Sequence, residues 1–516
     1  MKKALIIVVF GLLLTMVVSP IYAYEAMYGP SEMIHWDAEK AYNGYTLIGS
    51  YLLDMEGNVC HILPGGGFLM ENGNIFGGRF QVQDWDGNSI WRYTETREDY
   101  HPHHDSNFIY NPKLKANTVM FIANKDLTHE QVISAGADPK DANKGKGGSY
   151  NGCQMDAIVE VDMNGNVVWE WWFFDHLVQD MYPSKNNYVG RGKTIADYPG
   201  KLDINWGYPV DRDWLHCNSV DFNPELDHMV VNSVHGEFFV VDHGATFVPG
   251  DPEKSIALAA SDAGDFIYRF GDPAKYGQGE KPSISQKNWL EVSTGTRQNG
   301  ATHDVQWILP GYPGAGNLTI FNNNDQVYQS SVQSQIIEVN PYLDSNGKNT
   351  GRYVNPPDAG YNRPRADFKL THQYDRDISK QIVWSWRPAG TSGFFSNHGS
   401  GCIRLPNGNT LISASSEGHV LEITLEGEVA WEYIYPITRG SGIKKIIGPE
   451  DFNIHAVSRS YRYAPDHPAL KGRDLKPQGT ITELAAQGKI TAPQRRQREK
   501  GKGDEGKKGG KKGGKK

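Results

Sequence analysis

Val159-Glu-Val-Asp-Met-Asn-Gly165-Asn-Val-Val-Trp169 decides the fold. Apolar residues alternate up to an Asp, an Asn-Gly pair turns the chain, and a second alternating run closes on Trp. This is a β-hairpin signature, with glycine where the turn needs a positive φ. The pattern recurs as Val82-Gln-Asp-Trp-Asp-Gly87-Asn-Ser-Ile-Trp91 and as Leu421-Glu-Ile-Thr-Leu-Glu-Gly427-Glu-Val-Ala-Trp431. Leu53-Asp-Met-Glu-Gly57-Asn-Val-Cys60 is a weaker copy, and an Asn-Gly-Asn turn recurs at Asn72 and at Asn407. Hairpins repeated over long intervals predict a solenoid or a propeller, and a closed propeller leaves only short edges exposed. A body of about 470 residues holds six blades with generous loops, or seven tighter ones, at about 40–50 residues each. The expectation is an all-β, six-bladed β-propeller, with seven blades as the variant and a two-sheet sandwich as the rival.

Of the 516 residues, 38% are hydrophobic and 11% aromatic, which excludes a disordered chain. The charge is unevenly spread. From Arg495 to the end lie 11 basic and 3 acidic residues, so this end carries +8. Removing it and the leading Lys2 and Lys3 from the formal total of −8 leaves the body at −18. An acidic body is a poor electrostatic match to nucleic acid. Residues 1–23 have a basic start, an apolar run from Ala4 to Val18 and a small Ala23, the layout of a cleaved signal peptide. That run is short of the roughly 20 apolar residues of a membrane span. The predicted organisation is therefore a signal peptide over 1–23, a propeller over 24–493, and a disordered Lys/Gly tail over 494–516. The mature protein is expected to be periplasmic or secreted, with no membrane span. Export permits disulfides, and of the four cysteines Cys60 and Cys153 are the favoured pair; no spacing suggests a zinc or redox motif.

A second repeat carries the chemistry. A histidine opens a strand, and an Asn or Asp turn follows. His104, in His103-His104-Asp105, leads to Asn117; His216, in His216-Cys-Asn218, leads to Asp227. His303, in His303-Asp304-Val, leads to Asn317, and His398-Gly-Ser-Gly leads to Asn409. Successive members lie about two blades apart on the same repeat length. If they occupy equivalent inner strands, their side chains converge on the axis. His235, after the strand following His216, is a fifth candidate; His419 reads as a structural strand residue and His243 as a turn residue. Clustered imidazoles support three chemistries: covalent catalysis with a histidine nucleophile, metal binding, or anion binding without turnover. No phosphate-binding GxxxxGK[ST] loop accompanies them.

Asp213-Trp-Leu-His216-Cys-Asn-Ser-Val, Ser233-Val-His235, Gly300-Ala-Thr-His303-Asp-Val-Gln-Trp and Phe394-Phe-Ser-Asn-His398-Gly-Ser-Gly together resemble the arylsulfotransferase family of exported bacterial β-propellers. The resemblance runs, with gaps, from about Met33 to Ala486. It implies a PAPS-independent enzyme that moves a sulfuryl group from an aryl sulfate to a phenol through a sulfohistidine, with no cofactor and no metal. Carried over by position, His398 is the nucleophile and His303 and His216 flank it. His104, His235, Asn218 and Asp304 are the expected substrate-binding residues. One departure stands out: the family's motif after the His303 strand includes an Arg, whereas this chain reads Ile320-Phe-Asn-Asn-Asn-Asp325-Gln-Val-Tyr328. Lys or Gln does not replace a bidentate guanidinium clamp. Arg352, Arg363 or Arg365 are the candidates to replace it, and Trp307 is the candidate ring for stacking on an aromatic substrate. The alternatives are a non-catalytic propeller that binds an anionic or aromatic ligand or a protein partner, and a metal-dependent hydrolase or lyase. A quinoprotein dehydrogenase, suggested by the Gly-Asn-Val-Val-Trp hairpins, is weaker.

Overall fold

Six antiparallel sheets stand in a ring around one axis, the arrangement of a six-bladed β-propeller. The computed structural model describes residues 29–77, 80–140, 153–207, 210, 213–280, 296–328, 331–362, 378–388, 394–438, 442–446 and 457–491. The expected signal peptide and basic tail lie outside them, as do Arg363, Arg365 and most of the 140–150 loop.

Blade 1 comprises Tyr45–Ile48, Tyr51–Leu53 and Val59–Ile62, with Ser460–Tyr463 from the far end of the chain as its innermost strand. Blade 2 is Phe68–Leu69, Ile75–Gly77, Gln81–Gln83 and Ser89–Arg92. Blade 3 is Tyr100–Asn111, Ala116–Leu127, Cys153–Asp162 and Val167–Trp172. Blade 4 is Cys217–Asn223, His228–Ser233, Glu237–Asp242 and Phe266–Phe270; blade 5 is Thr302–Trp307, Leu318–Tyr328, Ser331–Val339 and Ile382–Trp386. Blade 6 is Gly401–Arg404, Thr410–Ala414, His419–Ile423 and Val429–Ile434. Glu32–Trp36 adds a fifth, outer strand to blade 6, with Trp36 opposite Trp431. Both ends of the described chain thus close the ring, one on the outside of the last blade and one on the inside of the first.

Each gap between neighbouring blades holds its own apolar cluster. Leu52 and Leu63 meet Leu69 and Ile75 between blades 1 and 2; Phe76 and Val82 meet Phe121 and Val159 between 2 and 3. Trp169 and Ile158 meet Val220 and Met229 between 3 and 4, and Phe238 and Val240 meet Val305 and Leu318 between 4 and 5. Phe321 and Ile336 meet Ile412 and Leu421 between 5 and 6, and Trp431 and Tyr433 meet Leu53 and Val59 between 6 and 1. Burial on both faces explains why the middle strands read as nearly continuous apolar runs rather than strict alternation.

The hairpin repeat has two structural causes. Asp162 accepts the N–H groups of Asn164 and Asn166 at 2.8 and 2.9 Å while Gly165, at φ 84°, passes through the left-handed region. Asp54 and Asp84 build the same turn. The closing Trp then staples one blade to the next through its indole N–H. Trp91 donates to the Met163 carbonyl at 2.8 Å, Trp384 to Leu425 at 2.9 Å, and Trp431 to Met55 at 2.9 Å. Each acceptor lies in the outer turn of the following blade. A buried indole is kept where its N–H finds a partner.

Three expectations are corrected. All four cysteines are buried thiols, and Cys60 and Cys153 sit in blades 1 and 3, so no disulfide joins them. Trp307 is buried in the cluster between blades 4 and 5 rather than at a channel mouth. His243 is no exposed turn residue. Fully buried, it bridges Asp227 at 2.6 Å and Glu160 at 2.9 Å, tying blade 4 to blade 3. His419 is structural as expected, buried and 2.8 Å from Glu432.

His243 gives the fold a pH dependence. Burial opposes its charge, but the hydrogen bonds to Asp227 and Glu160 outweigh it and raise the pKa to about 9. A raised folded-state pKa contributes stability that is complete below about pH 6.5 and is lost as pH rises through the folded value. The bridge is worth on the order of 3 kcal/mol. Thermal unfolding should show a melting temperature that falls between pH 7 and pH 9.5, and the fall should shrink in His243→Gln. Parallel curves for both proteins would contradict this account.

Candidate functional site

The inner strands bulge where the axial histidines lie. In blade 3, Ser106 pairs with Phe121 and Pro102 with Ala123, so His103, His104 and Asp105 bow out opposite one residue. In blade 5 the register slips between His303 and Gln306, and in blade 4 between Cys217 and Ser219. The bulges carry non-glycine residues with positive φ: His104 at 51°, His216 at 47°, Asp304 at 57°. Ser400, just after His398, stands at 80°. Such conformations cost roughly 1–3 kcal/mol each and persist only where the surroundings impose them. Here they turn ring-bearing residues out of the sheet and toward the axis.

The surroundings that impose them are a polar girdle. Asp105 accepts the Val220 N–H at 3.0 Å in the next blade. Ser219 and Asp221 accept the N–H groups of Val305 and Trp307 at 2.9 and 2.8 Å, one blade further. Asp304 accepts the Cys402 N–H at 3.0 Å in blade 6. Arg459, which precedes the closing strand of blade 1, donates to both Asp105 oxygens at 2.9 and 2.8 Å and through Nε to Asp304. Burial disfavours the guanidinium's charge, but the two carboxylates hold its pKa well above the usual value.

Within this frame four of the predicted histidines come together. The His104 and His216 rings meet edge to face with centroids 4.6 Å apart. His303 feels burial first and then the neighbouring His104, His216 and His398, which together push its pKa down to about 3. His104 keeps surface toward the channel, yet desolvation and the His216 and His103 imidazoles push it down to about 4. Both are therefore neutral at pH 7. His216 differs. Burial lowers its pKa, but Asp213, with Oδ2 2.6 Å from Nδ1, wins and raises it.

Hydrogen bonds select the tautomers. The Asn323 amide nitrogen donates to the carbonyls of Ser396 and Gly399 at 2.8 and 3.0 Å, so its oxygen faces His303 Nδ1 at 2.7 Å. Nδ1 must then carry the proton, and Nε2 keeps its lone pair. His398 is held alike: the Asn397 oxygen lies 2.6 Å from Nδ1 and also accepts from Ser416 at 2.8 Å. Two imidazoles thus have Nδ1 tied back on an amide.

The other predicted residues lie elsewhere. His235 is half-buried, with Nε2 3.1 Å from the Trp214 carbonyl, and its pKa falls to about 3 through desolvation and the Lys275 charge. Asn218 spans blades 4 and 5, donating to the Thr302 carbonyl at 2.8 Å and accepting from Asn232 at 2.8 Å. Asp304 belongs to the girdle. Arg352 is exposed on the long blade 5 insertion; among the described residues, Arg459 brings its guanidinium to the Asp105 and Asp304 carboxylates of the girdle. The sequence reading missed Asp213, Asn323, Asn397, Ser416 and Arg459. Local signals existed for two of them: Asp213 lies three residues before His216, and Asn397 adjoins His398.

A cavity of about 730 Å³ opens beside the cluster between the inner edges of blades 1, 2 and 3. His103 and His104 line it together with Phe68, Phe80, Tyr93 and Tyr461. The glycine run Gly65-Gly66-Gly67 also lines it. A side chain at Gly67 would meet the Phe76 carbonyl oxygen at 2.1 Å, so only glycine lets these segments approach. The volume suits a small aromatic ligand. No described helix is long and apolar enough to cross a membrane.

No curated protein matches the chain. Among solved structures, a protein of unknown function from Bacteroides caccae is 11% identical, covering 76% of this chain and 94% of its own at a TM-score of 0.32. Sqt1 from Chaetomium thermophilum is 9% identical, covering 78% of this chain and 74% of its own at a TM-score of 0.23. Residues 107–354, which include His216 and His303, match the family model described as Arylsulfotransferase (ASST). Over residues 107–354, just under half of its length, the chain is thus similar to the arylsulfotransferase family.

Proposed function

We propose that the chain moves a sulfuryl group from an aryl sulfate to a phenol through a sulfohistidine, with His398 as the nucleophile. The observation that carries this reading is the tautomer pair at the axis: His303 and His398 each have Nδ1 tied to an amide oxygen. A neutral imidazole held this way presents its Nε2 lone pair to an electrophile. In the first half-reaction His398 Nε2 bonds to sulfur, and the bond from sulfur to the aryl oxygen breaks. The departing phenolate takes a proton from His216, whose Nδ1 is anchored on Asp213. In the second half-reaction His216 takes the proton of the incoming phenol. The phenol oxygen bonds to sulfur, the nitrogen–sulfur bond breaks, and His398 is restored. His303 and His104 lie beside the sulfuryl oxygens, and the aromatic cavity holds the ring of donor or acceptor. The proposed setting is the periplasm or the exterior, reached through the signal peptide, where PAPS is not at hand.

A second reading rests on Arg459. Its guanidinium is engaged by Asp105 and Asp304 and offers no clamp to a sulfuryl group. On this reading the axis binds an aromatic anion without turning it over.

Phenol release from an aryl sulfate, with a second phenol as acceptor, separates the two. Wild type should turn over with ping-pong kinetics. His398→Ala should lose about 10³-fold or more in turnover while retaining the folded state by circular dichroism. His303→Ala should retain the initial burst of phenol and slow steady turnover. Equal release by wild type and His398→Ala removes His398 from its role, and binding with no release from any donor favours the second reading.

A further inference from the structure

One donor cluster beside the imidazoles is not used by the sulfuryl-transfer reading. His103, Asp156 and Asp213 come from the bulge of blade 3, the third strand of blade 3, and the segment entering blade 4. One ligand atom from each lies within 4.8 Å of the other two. We propose that these three side chains form a binding site for a divalent transition-metal cation of the zinc or manganese class.

The first support is an unsatisfied carboxylate. Asp156 has no exposed surface, and its Oδ1 accepts no hydrogen bond. Among the described residues, Oδ2 receives only the Cys217 N–H, at a long 3.4 Å. A buried anion in this state is costly unless a cation or further donors meet it. The second support is the way His103 faces it. Nε2 lies 2.9 Å from Asp156 Oδ1, within ion-pair range, yet the two make no hydrogen bond. His103 Nδ1 has no hydrogen bond either. Two ligands bound at about 2.1 Å and at right angles stand about 3 Å apart, so this spacing is that of two donors aimed at one ion. Asp213 spends one oxygen on His216 and accepts from Asn124 Nδ2 at 3.0 Å on the other. Its carboxylate still has lone pairs for a cation.

The donor set points to the metal class. One imidazole and two carboxylates neutralise a divalent ion and suit zinc or manganese better than calcium, which takes oxygen ligands throughout. No thiolate takes part, since the Cys217 thiol is fully buried and its pKa is raised by burial. Three protein donors leave positions open, and one of the three, His103, also lines the aromatic cavity.

The test uses the full chain, stripped with a chelator and titrated with zinc chloride by calorimetry, with circular dichroism as the folding control. Wild type should bind one equivalent, and His103→Ala and the isosteric Asp156→Asn should each bind at least about 100-fold more weakly. X-ray absorption of the zinc-loaded wild type should show nitrogen and oxygen neighbours only, at about 2.1 Å. That spectrum keeps the proposal falsifiable if both variants fail to fold. Absence of stoichiometric binding, a sulfur shell, or wild-type affinity in folded His103→Ala would overturn the site. Loss of binding in His398→Ala but not in His103→Ala would move the ion to the axial cluster and equally overturn it. These readouts do not involve sulfuryl transfer, so the site and the proposed reaction stand or fall separately.

Discussion

Arg459 holds two carboxylates from two different blades at once. It reaches Asp105 in blade 3 across 354 residues of chain and Asp304 in blade 5 across 155, from the segment that closes blade 1. An arginine in this position must be paired, because an unpaired charge there would be expensive. The pairing is possible only when the last strand has docked and the ring is complete. Each carboxylate also accepts a backbone N–H of the following blade, so the same ion pairs that close the ring set the distance between neighbouring inner strands.

The imidazole cluster follows from that constraint. His104 and Asp304 sit in bulges with positive φ, conformations that relax unless both flanks are held. Asp105, next to His104, and Asp304, next to His303, are the residues that Arg459 grips. Ring closure and placement of the histidines are thus one event. The amides of Asn323 and Asn397 then fix ring orientation, and Asp213 fixes that of His216. The blade interfaces supply the rigidity behind this, through six apolar clusters and the indole staples that span them.

Much of the architecture was legible because the repeat is physical. The Asp-x-x-Gly turn stands in blades 1, 2 and 3, Thr424 takes the Asp place in blade 6, and the closing Trp stands in blades 2, 3 and 6. Blades 4 and 5 hid theirs: helices between Asp242 and Phe266, and the long segment between Val339 and Ile382, separate the two outer strands that are a tight hairpin elsewhere. The recurrence of a histidine at an inner strand picked out His104, His216, His303 and His398, but their spacing misled: read as about two blades apart, they stand in the consecutive blades 3, 4, 5 and 6, because long strands and insertions stretch blades 3 to 5. It could not show how they are held. Arg459 carries no local mark, and its partners are remote in sequence. Asn218 and Asp304 look like ligand-binding neighbours of histidines, but their polar atoms are spent between blades. His243 looked like a turn because Asp-His-Gly is a turn composition; Glu160, 83 residues away, makes it a buried bridge.

Tryptic mapping of the protein quenched after brief exposure to an aryl sulfate without acceptor tests the central claim most directly. The account predicts a peptide heavier by one SO₃ on His398, which loses the group when a phenol is added. A stable protein with no such adduct, or an adduct on a histidine outside the axial cluster, would contradict it.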